Sequence, residues 1–233
     1  MIKEEKSLYE TDSEFMERYD YFVQEVEKEI QQQLPKTTRY MVILAALLGC
    51  QGIEEFKEQL PKALEAGISP VQIKEIVYQA TDYLGFGRVR SFLHITNQVF
   101  LDRGVSFPLE GQSTTTLENR LEKGTEAQVE IFGEHMKEAW KAGCMNRWLA
   151  ENCFGDYYTR GGLNLKEREM ITFCYLIAQG GCEPQVAAHA KGNMNLGNDK
   201  EFLMKVVFQC LPYIGYPRSL NAISCINKVA EKQ

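Results

Sequence analysis

The sequence repeats itself at a spacing of 130 residues, and this repetition restricts the fold more than any other feature. Tyr83-Leu-Gly-Phe-Gly-Arg88 returns as Tyr213-Ile-Gly-Tyr-Pro-Arg218, with tyrosine, glycine and arginine at the same places. Further identical pairs at this spacing are Gly67 and Gly197, Val77 and Val207, and Gln79 and Gln209. The repeat is much longer than a solenoid unit, so it predicts two copies of one unit packed about a pseudo-two-fold axis.

Each copy has the pattern of packed helices. Apolar residues recur every three or four positions in a charged background, first at Phe15, Tyr19, Phe22, Val26 and Ile30. The same spacing returns at Val129, Phe132, Met136 and Trp140. Glycines end many of these periodic segments, and the alternation with a period of two that marks a strand is absent. The sequence therefore predicts an all-α fold with two homologous repeats in tandem.

A polar segment separates the two copies. Residues 102–125 contain Gly104, Pro108, Gly111 and three consecutive threonines, which is typical of turns and linkers. The prediction is a first, diverged repeat with an N-terminal helix at 1–101, a linker at 102–125 and a second repeat at 126–233.

Charge and hydropathy argue against two classes of partner. The formal net charge is −6, whereas a protein that binds nucleic acid needs a basic surface. The longest apolar run, Met41–Cys50, is about half as long as a membrane-spanning helix. Residues Met1–Lys6 are charged where an export signal would be apolar. We therefore expect no nucleic acid, no membrane and no export.

The seven cysteines form no recognisable framework. Their number is odd and no two have the C-x-x-C spacing, which fits neither a set of disulfides nor a structural zinc site. Reduced cysteines are typical of the cytoplasm. The prediction is a cytoplasmic protein without a metal or other cofactor.

The second copy contains a cysteine and a histidine in a pattern that favours catalysis. Cys182 precedes Pro184, a residue suited to the first turn of a helix, and His189 lies about two turns further along. A thiol at a helix N-terminus can have a lowered pKa, particularly beside an imidazole. Cys182 is then the candidate nucleophile and His189 the candidate general acid or base. The alternative is a small buried thiol and a structural histidine.

Upstream of this pair, a charged helix start allows two interpretations. Glu167 and Glu169 in a first turn are what the helix dipole favours, so both are candidates for capping. Alternatively, Glu169 reaches His189 and orients it or relays a proton, while Arg160 pairs with a substrate carboxylate.

The first copy lacks these titratable residues. The 130-residue spacing places Gly52 opposite Cys182, Gln59 opposite His189, and Arg39 opposite Glu169. We therefore expect one site, in the second copy.

The motifs of the second copy resemble those of a known family. Phe154-Gly-Asp-Tyr-Tyr-Thr-Arg160-Gly-Gly-Leu163 is followed by Lys166-Glu-Arg-Glu169-Met-Ile-Thr172, an apolar helix and then His189. This order resembles the carboxymuconolactone decarboxylase family, which includes the AhpD-like alkylhydroperoxidases. The first copy, from Lys36 to Phe100, resembles a more diverged member. The resemblance implies an AhpD-like helical fold, a small-molecule substrate and a homo-oligomer, either a trimer or another low-order assembly.

The resemblance leads to two chemistries. The family's peroxidases use a C-x-x-C-x-x-x-H motif with an upstream glutamate. Cys182 and His189 match its first cysteine and its histidine, Glu169 lies near the glutamate, and Gln185 replaces the second cysteine. A peroxidase built this way would use a single cysteine and a separate thiol reductant.

The decarboxylase branch lacks the cysteine pair, retains the histidine and has a turn like Arg160-Gly-Gly-Leu163. It implies action on a small carboxylated lactone or related compound, with His189 transferring a proton and Glu169 tuning it. Arg160 and Gln185 would then contact the substrate. A single-cysteine peroxidase and a non-catalytic assembly or small-molecule-binding protein are the alternatives.

Overall fold

The structure is a computed structural model that describes residues 7–231. Residues 1–6, on which the expectation of no export rests, and residues 232–233 lie outside the described part. Within it every regular element is helical, as the sequence predicts. None of the described helices is both long enough and apolar enough to cross a bilayer.

From residue 7 onward, the first half contains six helices. They are α1 Leu8–Thr11, α2 Ser13–Ile30, α3 Lys36–Cys50, α4 Ile53–Glu65, α5 Pro70–Leu84 and α6 Phe86–Asp102. The start of α5 is determined locally, because the Ser69 hydroxyl accepts from the Gln72 N–H, the Gln72 side chain accepts from the Ser69 N–H, and Pro70 occupies the first turn. Gly85, at a φ of 81°, ends α5 and turns the chain into α6.

The second half begins differently and then repeats the first. It contains α7 Arg120–Phe132, short 3₁₀ turns at Glu134–Met136 and Ala139–Ala142, α8 Cys144–Trp148, a π-helix at Leu149–Tyr158, α9 Leu165–Gln179, α10 Glu183–Asn195, α11 Lys200–Ile214 and α12 Tyr216–Ala230. A π-helix of this length is unusual, and π-helical turns often occur at functional sites.

Four helices recur in the same order, α3 to α6 and then α9 to α12. Helices α4 to α6 begin 130 residues before α10 to α12, whereas α3 begins 129 residues before α9. The pairing of Arg39 with Glu169, which assumes a spacing of 130, is therefore wrong. Arg39 stands opposite Arg168 rather than Glu169, and Tyr40 occupies the place of Glu169.

The two repeats share one hydrophobic core, at whose centre α3 lies against α9. A Cβ added to Gly49 would lie 2.6 Å from the Ala178 Cβ and 2.7 Å from the Tyr175 carbonyl oxygen, so the two backbones approach very closely. Gly49 and Ala178 are equivalent positions at the 129-residue spacing. A position that contacts its own counterpart lies near a two-fold axis, and α3 packs on α11 just as α9 packs on α5.

The segment predicted to be a linker ends earlier than expected. Helix α7 begins at Arg120, so the last six residues of 102–125 are helical. Gly124 lies inside this helix, where its small size serves packing. A Cβ there would collide with the Ala150 carbonyl oxygen, and one on Gly155 would collide with the Arg120 carbonyl oxygen. Two glycines thus let α7 lie directly against the π-helix.

Candidate active site

His189 lies on α10, and its imidazole ring is held between two aromatic rings. The Tyr83 and Phe132 rings each meet it edge to face, with centroids 5.5 Å away. Its Nδ1 lies 2.9 Å from Oε2 and 3.1 Å from Oε1 of Glu169. Because Nδ1 is bound to the carboxylate, Nε2 is the ring nitrogen left for a ligand. The predicted meeting of Glu169 and His189 thus occurs in the structure.

Glu169 is fully buried, and its carboxylate is the end of a chain of hydroxyl groups. The Tyr158 hydroxyl donates to Glu169 Oε1 at 2.8 Å. It has a single proton, so the hydroxyls of Tyr83, at 2.9 Å, and Thr172, at 2.7 Å, must donate to Tyr158. Burial raises the pKa of Tyr158 and of Tyr83 well above the usual value, so both phenols stay protonated. Every proton in this chain points toward the carboxylate.

The chain continues from α9 into the first repeat. Thr172 Oγ1 accepts from Gln79 Nε2 at 2.8 Å, and Gln79 Oε1 accepts from Arg168 Nη1 at 2.8 Å. Arg168 is fully buried and also pairs with Glu75 at 3.1 Å. Gln79 of α5 therefore connects the buried Arg168 to the hydroxyl chain that ends at Glu169, and Glu75 of α5 pairs with Arg168. Hydrogen bonds aligned in this way strengthen one another.

Close packing of α10 on α9 brings the histidine to the carboxylate. A Cβ on Gly192 would lie 2.8 Å from Glu169 Oε2 and 2.8 Å from a methyl carbon of Ile131, so only glycine leaves room there. The fully buried Asn193 donates to the carbonyl oxygens of Glu169 and His189 at 2.9 and 2.8 Å. This amide ties the two helices together next to the site.

His189 lies in the wall of a cavity of about 790 Å³ between the two repeats. Much of the wall is apolar, and its lining includes Phe132, Met136, Leu149, Phe154 and Leu176. The polar lining includes Asp82, Tyr83, Gln128, His135, Gln179, Cys182, Gln185 and Lys191. Asp82 and Tyr83 belong to the first repeat, so both repeats build the cavity. Its volume is within the range of sites for small organic ligands.

Cys182 lines the cavity, but its surroundings do not favour the thiolate. It precedes α10, and Sγ donates to the Leu176 carbonyl oxygen at 3.3 Å. Burial, followed by the neighbouring Glu183, raises the pKa of this thiol. The expectation of a lowered pKa is therefore wrong, because desolvation and a like charge outweigh the helix N-terminus.

Arg160 does not lie in the wall of this cavity. Its Nε and Nη2 form a two-pronged pair with the carboxylate of Glu75, with distances of 2.9 to 3.1 Å. The hypothesis that Arg160 pairs with a carboxylate is right about the chemistry and wrong about the partner, which is a side chain 85 positions earlier. Gln185 does line the cavity, beside Cys182, and is exposed.

Glu167 and Glu169 have separate roles. Glu167 takes part in a capping box with Asn164, whose side chain accepts from the Glu167 N–H while the Glu167 carboxylate accepts from the Asn164 N–H. Glu169, one half-turn later, faces the interior. The capping interpretation applies to Glu167, whereas Glu169 reaches His189.

Sequence reasoning missed several residues of this site, above all Tyr83, Tyr158 and Gln79. Tyr83 and Gln79 belong to the repeated pattern, and Gln209 at the equivalent place in α11 is also buried. The Oε1 atom of Gln209 has no hydrogen-bond partner among the described residues. With Tyr40 and Gln59 in place of the acid and the histidine, the first copy keeps part of the polar frame without the reactive pair.

Asp82 is a second titratable group of the cavity that the sequence did not reveal. Its Oδ2 is buried without a hydrogen-bond partner in the described part of the chain. Burial, with a further contribution from Asp156, raises its pKa to about 7. Within residues 7–231 no group of three or more potential ligands could hold a metal ion.

The fold and the site define a class of protein: an all-helical, two-repeat chain with a carboxylate–histidine pair in a largely apolar cavity. The model of the carboxymuconolactone decarboxylase family matches two segments, residues 13–98 and 145–228. The chain belongs to this family. It is also similar to a 4-carboxymuconolactone decarboxylase of Acinetobacter baylyi, with 25% identity over 118 residues, which cover 48% of this chain and 87% of that protein.

Removing the Tyr158 hydroxyl should destabilise the fold. Tyr158→Phe deprives Glu169 of a donor and leaves two other hydroxyls without their acceptor, so we expect a loss of about 1–3 kcal/mol in the free energy of unfolding. Urea denaturation of wild type and variant measures this loss. Tyr157→Phe is the matched control, because no hydrogen bond to its hydroxyl is found among the described residues. Equal losses in the two variants would contradict the proposed chain of hydroxyls.

Asp82 should make stability depend on pH. Its pKa in the folded protein exceeds the ordinary 3.8, so the folded state holds a proton that the unfolded chain releases. The contribution of Asp82 to the free energy of unfolding therefore falls as the pH rises from about 4 to about 7. Asp82→Asn should become more stable relative to wild type as the pH is raised from about 5 to about 8. Urea denaturation of both proteins at each pH measures this difference. The exposed Asp102→Asn is the control, and parallel curves for wild type and Asp82→Asn would refute the assignment.

Proposed function

We propose that the protein is a decarboxylase-like enzyme that acts on a small carboxylated lactone or related compound, with His189 as the group that transfers the proton. The observation that carries the proposal is the contact of His189 Nδ1 with the buried Glu169 carboxylate at 2.9 Å, in the wall of a largely apolar cavity. Family membership and the similarity to a 4-carboxymuconolactone decarboxylase support it.

The pair is suited to proton transfer because its two nitrogens have different tasks. Nδ1 contacts a carboxylate that is held by the buried hydroxyl of Tyr158, which keeps the ring orientation constant. Nε2 is then presented to the ligand. A carboxylate behind an imidazole also stabilises the imidazolium form, as in other acid–base pairs of this kind. Glu169 is therefore a positioning residue and His189 the catalytic one.

The reaction needs no oxidant or reductant. The bond between the ring carbon and the carboxylate breaks, carbon dioxide leaves, and the electron pair remains on the conjugated lactone. His189 then protonates the carbanion-like carbon, and solvent restores the proton. The apolar side chains of Phe132, Phe154 and Leu176 give the departing carboxylate an environment poor in water, which favours its loss as neutral carbon dioxide.

Other residues of the cavity provide polar contacts for the substrate. In place of Arg160, Lys191 is the cation in the cavity lining that we assign to the substrate carboxylate. Gln185 retains its assignment as a substrate contact. Gln128 is a further polar residue of the lining; it is buried, and its Oε1 has no hydrogen-bond partner in residues 7–231.

A second candidate function is a single-cysteine peroxidase, because Cys182 lines the same cavity as His189. Its thiolate would attack a hydroperoxide to give a sulfenic acid, which a separate thiol would reduce. The raised pKa of Cys182 and the glutamine at position 185 both disfavour this chemistry.

The remaining assignments are part of the proposal. We assign the protein to the cytoplasm, without a nucleic-acid partner, and to a homo-oligomer, a trimer or another low-order assembly. Large apolar side chains exposed in the region around α7 and α8 support self-association; they are Leu117, Met145 and Trp148.

The proposed function is tested with purified protein and 4-carboxymuconolactone, by loss of ultraviolet absorbance and release of carbon dioxide. His189→Asn should lower kcat by about a hundredfold or more, because it removes the proton donor. His94→Asn is the matched control, since His94 is exposed on α6. Full activity in His189→Asn would contradict the proposal.

The same purified protein can be used to test the peroxidase function. After one equivalent of hydroperoxide, a reagent that traps sulfenic acids should label exposed Cys144 and leave Cys182 unlabelled. Selective labelling of Cys182, without any decarboxylation, would favour the peroxidase instead. If the protein shows neither activity, the remaining alternative is a non-catalytic assembly or small-molecule-binding protein.

A further inference from the structure

A second pocket lies away from the His189 cavity and shares no lining residue with it. Its volume is about 170 Å³, and it lies between α5 and the segment that follows α6. The walls include Val71, Lys74, Tyr78, Phe107, Leu109 and Arg160. The pocket is smaller than a site for a drug-sized ligand, which limits its occupant to a small molecule.

The Lys74 side chain is the unusual feature of this pocket. Only 6% of the residue is exposed, and its Nζ donates to Asn97 Oδ1 at 2.5 Å. Two of its three N–H groups remain, and no carboxylate in residues 7–231 forms an ion pair with it. Burial lowers the pKa of Lys74, because removal from water disfavours the charged ammonium group.

The surrounding charges do not balance. Three cations, Lys74, Arg160 and Arg168, lie around Glu75, which is 1% exposed and pairs with both arginines. Glu110, the other acidic residue of the wall, is exposed to solvent and forms no ion pair within the described residues. A buried cation without an anion is costly, so the cluster favours an anionic ligand.

The remaining donors and the aromatic rings define the ligand's chemistry. Glu75 occupies Nε and Nη2 of Arg160, which leaves Nη1 for another acceptor. Lys74 Nζ lies 5.4 Å from the centroids of both Tyr78 and Phe107, and the Arg160 guanidinium lies 5.4 Å from that of Tyr78. Cations beside aromatic and aliphatic walls suit an anion attached to an apolar body.

We infer that this pocket binds a small organic carboxylate, with Lys74 and Arg160 holding the carboxylate and Tyr78, Phe107 and Leu109 enclosing the apolar part. The inference is independent of the proposed decarboxylase activity, because the pocket and the His189 cavity are separate. Arg160 links them through Glu75, Arg168 and the chain of hydrogen bonds that ends at Glu169.

Isothermal titration of the full chain with benzoate tests the inference. Wild type should show saturable binding. Lys74→Met should raise the dissociation constant of this binding about tenfold to a hundredfold, because it removes a hydrogen bond from a charged donor. Lys62→Met, which removes an exposed charge from α4, should bind like wild type. Lys191→Met should also retain this event, which distinguishes it from binding in the His189 cavity.

Several outcomes would overturn the inference. They are no saturable binding to wild type, equal affinity in Lys74→Met and wild type, or binding of inorganic phosphate as tight as that of benzoate. A further such outcome is that wild type does not bind benzoate and Lys74→Met forms a smaller oligomer than wild type. A neighbouring copy of the chain would then fill the pocket, and the inference would be wrong. If Lys74→Met fails to fold, Lys191→Met still decides the matter, because loss of the saturable binding in that variant would place benzoate in the His189 cavity and overturn the inference.

Discussion

The buried carboxylate of Glu169 is the constraint on which the rest of the structure depends. An ionised group without access to water is very costly unless hydrogen bonds or an opposite charge compensate it. Here the compensation comes from His189 on α10, from Tyr158 on the π-helix and, through Tyr158, from α5 and α9. Compensation of the carboxylate therefore depends on contacts among four elements, α5, the π-helix, α9 and α10. These contacts lie at the wall of the cavity.

The two repeats have become unequal in a way that follows from this requirement. The second repeat keeps the acid and the histidine, while the first has Tyr40 and Gln59 at the equivalent places. The first repeat nevertheless contributes Gln79 and Tyr83 to the chain of hydrogen bonds and Asp82 to the cavity wall. It is thus a structural half of the site, and the pseudo-two-fold packing of α3 on α9 is what brings α5 there.

Much of the fold follows from the sequence, because helical periodicity and the 130-residue spacing are local or regular patterns. The pairing of Glu169 with His189 was likewise predictable, since it connects consecutive helices. The Arg160–Glu75 pair was not, because its two members are 85 positions apart and either could have faced a ligand. The raised pKa of Cys182 was also hidden, since its position before a helix favours the thiolate and only its burial and Glu183 reverse the effect. The predicted linker extended too far, into α7, although the turn-forming residues on which it was based all precede Arg120.

The most direct test of this account is the protonation of the His189 ring, measured by nitrogen-15 NMR across the pH range in which the protein is folded. We expect a proton on Nδ1, in the hydrogen bond to Glu169, and we expect Nε2 to be the nitrogen available to the cavity. A neutral ring that is protonated at Nε2 and bare at Nδ1 would contradict this arrangement, because Glu169 would then have no donor from the histidine.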